Sequence, residues 1–200
     1  MTVFLLPLRS LDAEGDTAER AVHRFTEGRR LGSEEDIAAG LLVHRGLGRD
    51  PKLLYDDETD AAAPSSMSAP FFSSSRGGMY AAAVVSDYGY VGVDIEQIRP
   101  CGDSPKRLHD EEHAWLGERN HRDQSFYCLW TAKESLRKAA DTGLEPTSYS
   151  VLPMRRGWHV LSQGSWYLHW KRVDGHVLCV CSMRPESLIV RVLDNTGSAG

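Results

Sequence analysis

The chain is poor in the features that would assign it quickly. Its four cysteines, Cys101, Cys128, Cys179 and Cys181, form no CxxC pair and no zinc-ribbon spacing. Reduced thiols in a cytoplasmic setting are the simplest expectation. No apolar run approaches the ~20 residues that cross a bilayer, so no membrane partner is expected. The apolar opening MTVFLLPLRS lacks a basic lead and stops at Arg9, and it reads as an edge strand rather than a signal peptide. Positive charge is not in excess: 23 Lys and Arg stand against 28 Asp and Glu, for a formal net charge of −5. That balance argues against a general nucleic-acid binder. No G-x-S-x-G elbow, P-loop or dinucleotide glycine motif appears, and no tandem repeat.

What is present is ordinary in bulk: 41% apolar and 26% charged residues over 200 positions. That size suits one sizeable domain or two smaller halves sharing a core. Strand patterns fall at 3–8, 79–85, 90–96, 157–161, 165–173 and 176–182. The pair 79–85 and 90–96 reads as a hairpin across SDYG, and Asp174-Gly175 as the turn of a second hairpin. Helix patterns fall at 17–27, 33–47, 109–120 and 126–140, the second of these opened by a capping box in SEED at 33–36 with Ser33 as the cap, and the last closed by Gly143. Residues 56–70 are acidic, then rich in Ala, Ser and Pro, and read as a surface loop. Arg20, Arg24, Arg29, Arg30, Arg45 and Arg49 crowd the N-terminal quarter. They are either a solvated helical surface or, for a few of them, a phosphate contact.

Chemistry concentrates in two stretches. In GVDIEQIRP (92–100), Val91, Val93 and Ile95 alternate with Gly92, Asp94 and Glu96. In an extended chain the aliphatics share one face and both acids the other. Two carboxylates so close resist ionising together unless a cation lies between them or they face open water. In FYCLWTAKESLRKAA (126–140), Trp130, Glu134 and Lys138 recur every fourth residue and form one helical stripe. Glu134 and Lys138 alone read as an intrahelical ion pair. Read with the strand, they bring a third carboxylate and a lysine beside Asp94 and Glu96. An all-oxygen nest suits a hard divalent cation such as Mg2+, and a neighbouring lysine suits a phosphate.

At these residues the sequence resembles a family. GVDIE, followed about forty residues later by LWTAKESLRKAADTGL, is similar to the paired signature of the 4′-phosphopantetheinyl transferases. The long chain and the FYxLW lead-in resemble their larger, single-chain Sfp-type branch. The resemblance implies an α+β fold of two similar α/β halves packed as an intramolecular pseudo-dimer, divided here as 1–104 and 105–200. It implies Mg2+-dependent transfer of the phosphopantetheine arm of coenzyme A to a serine of an acyl or peptidyl carrier protein, with release of 3′,5′-ADP. It implies metal ligands Asp94, Glu96 and Glu134, with Glu134 also the base and Lys138 on the diphosphate. Lys133 matches the motif too and takes a lesser phosphate role. A monomer is expected, and the larger branch tends to serve secondary metabolism.

The match breaks before the first motif. The family pattern F-N-x-S-H-S-G is represented by FFSSSRGG, with Ser75 at the histidine position, Phe72 at the asparagine position and Arg76 following. A GKP-like triplet is replaced by SAP at 68–70. Either Ser74, Ser75 and Arg76 hold the coenzyme A phosphates in a divergent way, or the chain is a repurposed homologue that binds a carrier protein or its thioester without transfer. HDEEH at 109–113 has the spacing of inverted zinc peptidases, but it also fits the short acidic helix the family places between its motifs. His159, His169 and His176 are expected to be structural, as are Cys179 and Cys181 and the aromatic positions of the C-terminal strands.

Overall fold

The computed structural model describes residues 1–8, 42, 71–102, 107–140, 145–152, 158–161 and 165–193. The helices expected at 17–27 and 33–47 (Leu42 apart), the six N-terminal arginines, the 56–70 loop and Gly143 lie outside the described residues. Along the chain come β1 (Thr2–Pro7), β2 (Phe71–Gly77), β3 (Tyr80–Ser86), β4 (Val91–Gln97), α1 (Asp110–Gly117), α2 (Arg122–Ala140), β5 (Trp158–Leu161), β6 (Ser165–Val173), β7 (His176–Ser182) and β8 (Ile189–Val192). The fold is α+β. Its two four-stranded sheets run in the orders β2-β3-β1-β8 and β4-β7-β6-β5. Neither described helix is long and apolar enough to cross a membrane.

The sheets do not follow the division at residue 104. β4, from before it, pairs antiparallel with β7, with Asp94 opposite Cys179. β8, from after it, pairs parallel with β1. Each sheet therefore takes strands from both sides of that position.

Strand alternation builds the layers. Val91, Val93 and Ile95 point with Leu178 and Val180 into a core shared with Val3, Leu5, Tyr80, Ala82 and Val84 of the first sheet. The opposite face of the second sheet, through Leu168, Cys179 and Cys181, receives Leu129, Ala132, Leu136 and Ala139 of α2. The outer face of the first sheet, through Phe4, Leu6, Ala81 and Ala83, packs on Leu42 and Leu193. The alternation expected at 91–96 holds: the aliphatics share one face and Asp94 and Glu96 the other, which is turned to α2 with Asp94 buried. Cys179 and Cys181 are fully buried packing residues, and burial pushes both thiols well above their usual range.

One expected pairing is wrong. β3 and β4 are not a hairpin. Both edges of β3 are taken, by β1 and β2, so β4 has no edge to join. The Ser86–Tyr90 connection instead hands the chain to the second sheet. The hairpin in this region is β2–β3, closed around Gly78 at φ 56°, which favours glycine. The second expected hairpin is present: β6 and β7 turn at Asp174 and Gly175, both at positive φ. The last long helix starts at Arg122, four residues before the expected Phe126.

β4 is an edge strand of its sheet, and β2 is an edge strand of the other. Side chains join the two. Ser73 Oγ accepts from the Val93 amide (3.0 Å) and Ser75 Oγ from the Ile95 amide (3.4 Å). Donors that would otherwise be left at an edge are thus satisfied. The backbones come close: a Cβ on Gly77 would stand 1.9 Å from Ile95 O.

Candidate active site

Gly92 sets the distance between β4 and α2. A Cβ there would fall 1.9 Å from the Ser135 carbonyl oxygen and 2.7 Å from the Ala139 amide nitrogen. Only a hydrogen fits, so the helix lies directly on the strand. Asp94 and Glu96, on the same strand face, then stand beside the Trp130–Glu134–Lys138 stripe.

The expected intrahelical Glu134–Lys138 pair does not form. Lys138 reaches across to β4 instead. Its Nζ donates to Asp94 Oδ1 (2.9 Å), Val93 O (3.1 Å) and Ser74 O (3.3 Å). An ammonium has three donors, so these contacts saturate it. Glu134 Oε2 accepts from Arg137 Nε (3.1 Å) and Nη2 (2.9 Å). Ser75 Oγ donates a second hydrogen bond to Asp94 Oδ1, at 2.8 Å. Asp94 Oδ2 is buried and has no partner.

The electrostatics follow from that imbalance. Burial pushes the Asp94 carboxyl above the usual aspartate range, and the Lys138 charge and the Lys138 and Ser75 hydrogen bonds only partly offset it. Glu134 lies near enough for its charge to add to the rise. Glu96 is raised as well, first by burial and then by the Asp94 charge, against a hydrogen bond from Trp130 and the charges of Lys138 and Arg99. Two acids thus resist ionising where they stand, which is the behaviour expected of carboxylates short of positive charge.

Beside Glu96 opens a cleft of about 420 Å³ lined by Arg76, Gly77, Gly78, Glu96, Gln97, Arg99 and Tyr127. Two guanidinium groups and a glycine turn give it the chemistry of an anion site next to the acids. Arg76 is exposed on β2, while Ser74 and Ser75 are half-buried.

Lys133 departs from its expected phosphate role. Its side chain is fully buried, and its Nζ pairs with Glu112 Oε2 at 2.8 Å and donates to Tyr149 O. The Tyr149 ring lies 4.5 Å from the charge. Helical spacing puts Lys133 on the face turned to α1, away from the stripe. The same contacts account for HDEEH. His109 caps α1, Glu112 Oε2 accepts from the His109 amide (2.9 Å), and Glu112 Oε1 accepts from the Val151 amide (2.7 Å). Glu112 is a buried structural acid, with every contact turned inward.

A family model covers the residues of β4 and α2 that build this site. Residues 90–181 match the family model described as the 4′-phosphopantetheinyl transferase superfamily. This segment carries the superfamily's sequence pattern. It spans Asp94, Glu96, Glu112, Lys133, Glu134 and Lys138, and leaves β2 outside. The chain is 34% identical over 110 residues to the 4′-phosphopantetheinyl transferase AcpT of Salmonella typhimurium, covering 51% of this chain and 56% of that protein. The protein of the same name from Salmonella typhi is also 34% identical, over 109 residues. The chain spans about half the length of these curated relatives. Among solved structures, it is similar to the Chronobacterium ammoniagenes ACPS–CoA complex, at 20% identity and a TM-score of 0.36, over 48% of this chain and 98% of that one.

The residues present suit a divalent cation in donor chemistry, though not yet in arrangement. The donor chemistry fits: Asp94 offers a buried oxygen without a partner, and Glu96 is short of a counter-charge. Among the described residues no group of three His, Cys, Asp or Glu side chains is already gathered as a metal cluster. Lys138 covers Asp94 Oδ1, and Arg137 draws Glu134 to itself. Sequence reasoning missed Arg137, although an i, i+3 pair with Glu134 was visible. It also missed Gly92 and Gly77, where glycine inside a strand signals a close approach. Arg99 and Tyr127 carried no signal; only the fold brings them to the cleft.

Proposed function

We propose that the protein transfers the 4′-phosphopantetheine arm of coenzyme A to a serine of an acyl or peptidyl carrier protein. The single observation that carries this is the Asp94–Lys138 contact. It joins the two sequence motifs across 44 residues and leaves a buried Asp94 oxygen unpartnered beside Glu96. In the proposed step the carrier serine oxygen bonds the phosphorus of the arm, and the phosphoanhydride bond to 3′,5′-ADP breaks. Glu134, directly or through a water, takes the serine proton. Mg2+, held by Asp94, Glu96 and Glu134, would supply charge neutralisation on the diphosphate. Lys138 turns to the diphosphate by exchanging its contacts with Val93 O and Ser74 O, and Arg76 and Arg99 hold anionic oxygen at the cleft. Positioning and charge cancellation are what phosphoryl transfer requires. The reading extends to an Sfp-type chain with a divergent coenzyme A segment in β2. It also takes residues 1–104 and 105–200 as two halves of a strand-exchanged pseudo-dimer, and the molecule as a cytoplasmic monomer.

The test is mass spectrometry of an apo carrier protein incubated with the chain, coenzyme A and Mg2+. The carrier gains the mass of one phosphopantetheine arm. Glu134→Gln and Asp94→Ala each lower the rate by at least ~100-fold, the upper range for disturbing a metal site. Unchanged rates in both variants would overturn the assignment. A second reading, carrier binding without transfer, draws on Ser75, whose hydroxyl is engaged by Asp94. Calorimetry separates the two: Mg2+-dependent coenzyme A binding supports the enzyme, and carrier binding with no coenzyme A binding supports the alternative.

A further inference from the structure

Asp94 is held unevenly, and the unevenness has a source. Oδ1 accepts two hydrogen bonds, from Lys138 Nζ at 2.9 Å and Ser75 Oγ at 2.8 Å, while the buried Oδ2 accepts none. The Ser75 hydroxyl is itself fixed. Its oxygen accepts from the Ile95 amide, at 3.4 Å, so its proton is directed to the carboxylate. A carboxylate gripped on one oxygen by two donors from two different elements, β2 and α2, cannot turn freely about its last bond.

We propose that Ser75 is a positioning residue for cation binding: it locks Asp94 through Oδ1 so that Oδ2 alone is presented to a divalent ion. This rests on the reading above that the acids hold such an ion, and it gives Ser75 a different role from contact with a coenzyme A phosphate. Partners of this kind, which touch the ligand and not the metal, govern affinity by fixing the ligand's orientation.

Ser73 supplies the matched control. It lies two residues earlier on the same strand, and its Oγ accepts from the Val93 amide at 3.0 Å. It performs the same edge-joining task as Ser75, without the carboxylate contact. The experiment measures Mn2+ binding to the full chain by electron paramagnetic resonance of the free ion, with no coenzyme A or carrier present. Thermal melting is followed in chelator. Ser73→Ala and Ser75→Ala should lower the melting temperature comparably, since each frees one β4 amide. Only Ser75→Ala should weaken Mn2+ binding, by about 10-fold or more, and Ser75→Thr should restore it. Equal Mn2+ affinity in the two alanine variants, whether both bind or both fail, overturns the proposal. An unaltered chain that takes up no Mn2+ overturns it together with the metal reading. An unaltered chain that binds while Ser75→Ala binds equally well overturns the Ser75 role alone.

Discussion

Helix α2 carries two lysine–carboxylate pairs five residues apart, and they differ in completeness. Lys133 and Glu112 are both fully buried, and every carboxylate oxygen of Glu112 has a partner: the Val151 amide on Oε1, the His109 amide and Lys133 on Oε2. Lys138 and Asp94 are less buried, and Asp94 keeps one oxygen with none. The first pair is closed chemistry. It fixes α1 and the 145–152 segment to α2 and offers nothing to a ligand. The second is open, and its carboxyl is pushed up as though a charge were owed to it. Two lysines in one motif, KESLRK, thus divide between holding the scaffold and serving the site. Saturation of hydrogen bonds tells them apart where residue type does not.

The sharpest way to break this comparison is to cut one acid from each pair. Glu112→Ala removes the counter-charge of the buried Lys133 ammonium, which keeps its Tyr149 contacts, and takes the acceptor from the buried Val151 amide and the part-buried His109 amide; it should cost about 3–5 kcal/mol in urea unfolding. Asp94→Ala leaves Lys138 with two carbonyl acceptors and partial access to water, so it should cost markedly less while abolishing transfer. If both variants lost equal stability, the division of roles would not stand.

Gly92→Ala probes the spacing on which the open pair depends. Its Cβ would meet helix backbone, which cannot rotate away as a flexible side chain could. Overpacking of this kind costs about 1–3 kcal/mol. The displacement falls between β4 and α2, so activity should drop further than stability does. Gly117→Ala, at the end of α1 where nothing lies within 4 Å, is the control: it should leave activity unchanged and should not lower stability.

The open pair was more legible in the sequence than the fold around it. Alternation alone put Asp94 and Glu96 on one face of β4, and the four-residue spacing alone put Glu134 and Lys138 on one face of α2. Local periodicity is a property of neighbouring residues, so it survives without the tertiary structure. Strand partners are not local. Tyr80–Ser86 and Val91–Gln97 have every mark of a hairpin, but β1 and β2 compete for the edges of β3 and take them. Lys133 was misplaced for a related reason. Its motif position pointed to phosphate, while its partner Glu112 sits in a different helix and reveals itself only when α1 docks. The role of Ser75 was hidden because its two contacts lie 19 and 20 residues away on a strand that no turn connects to its own.

The smallest expected effect is the most specific to the open pair. Glu96 sits beside Asp94 with its pKa raised by burial and by that neighbour's charge. A carboxyl raised in the folded state favours folding most below its unfolded value, with ordinary values of 3.8 for Asp94 and 4.5 for Glu96. That contribution is lost as pH climbs through the raised folded values. At neutral pH, in chelator, ionised Glu96 therefore works against the fold. Glu96→Gln keeps an acceptor for the Trp130 indole and removes the charge. It should raise the melting temperature slightly at pH 7, corresponding to under ~1 kcal/mol for a half-buried group. The gain should shrink as pH falls, because the raised Glu96 carboxyl takes up its proton earlier than an ordinary glutamate does. The same substitution should weaken Mn2+ binding. A variant that is more stable without the ion and poorer at holding it would mark Glu96 as a residue kept for the ligand at the expense of the fold. A variant less stable at pH 7 would mean that Glu96, like Glu112, already has its charge answered from within the protein.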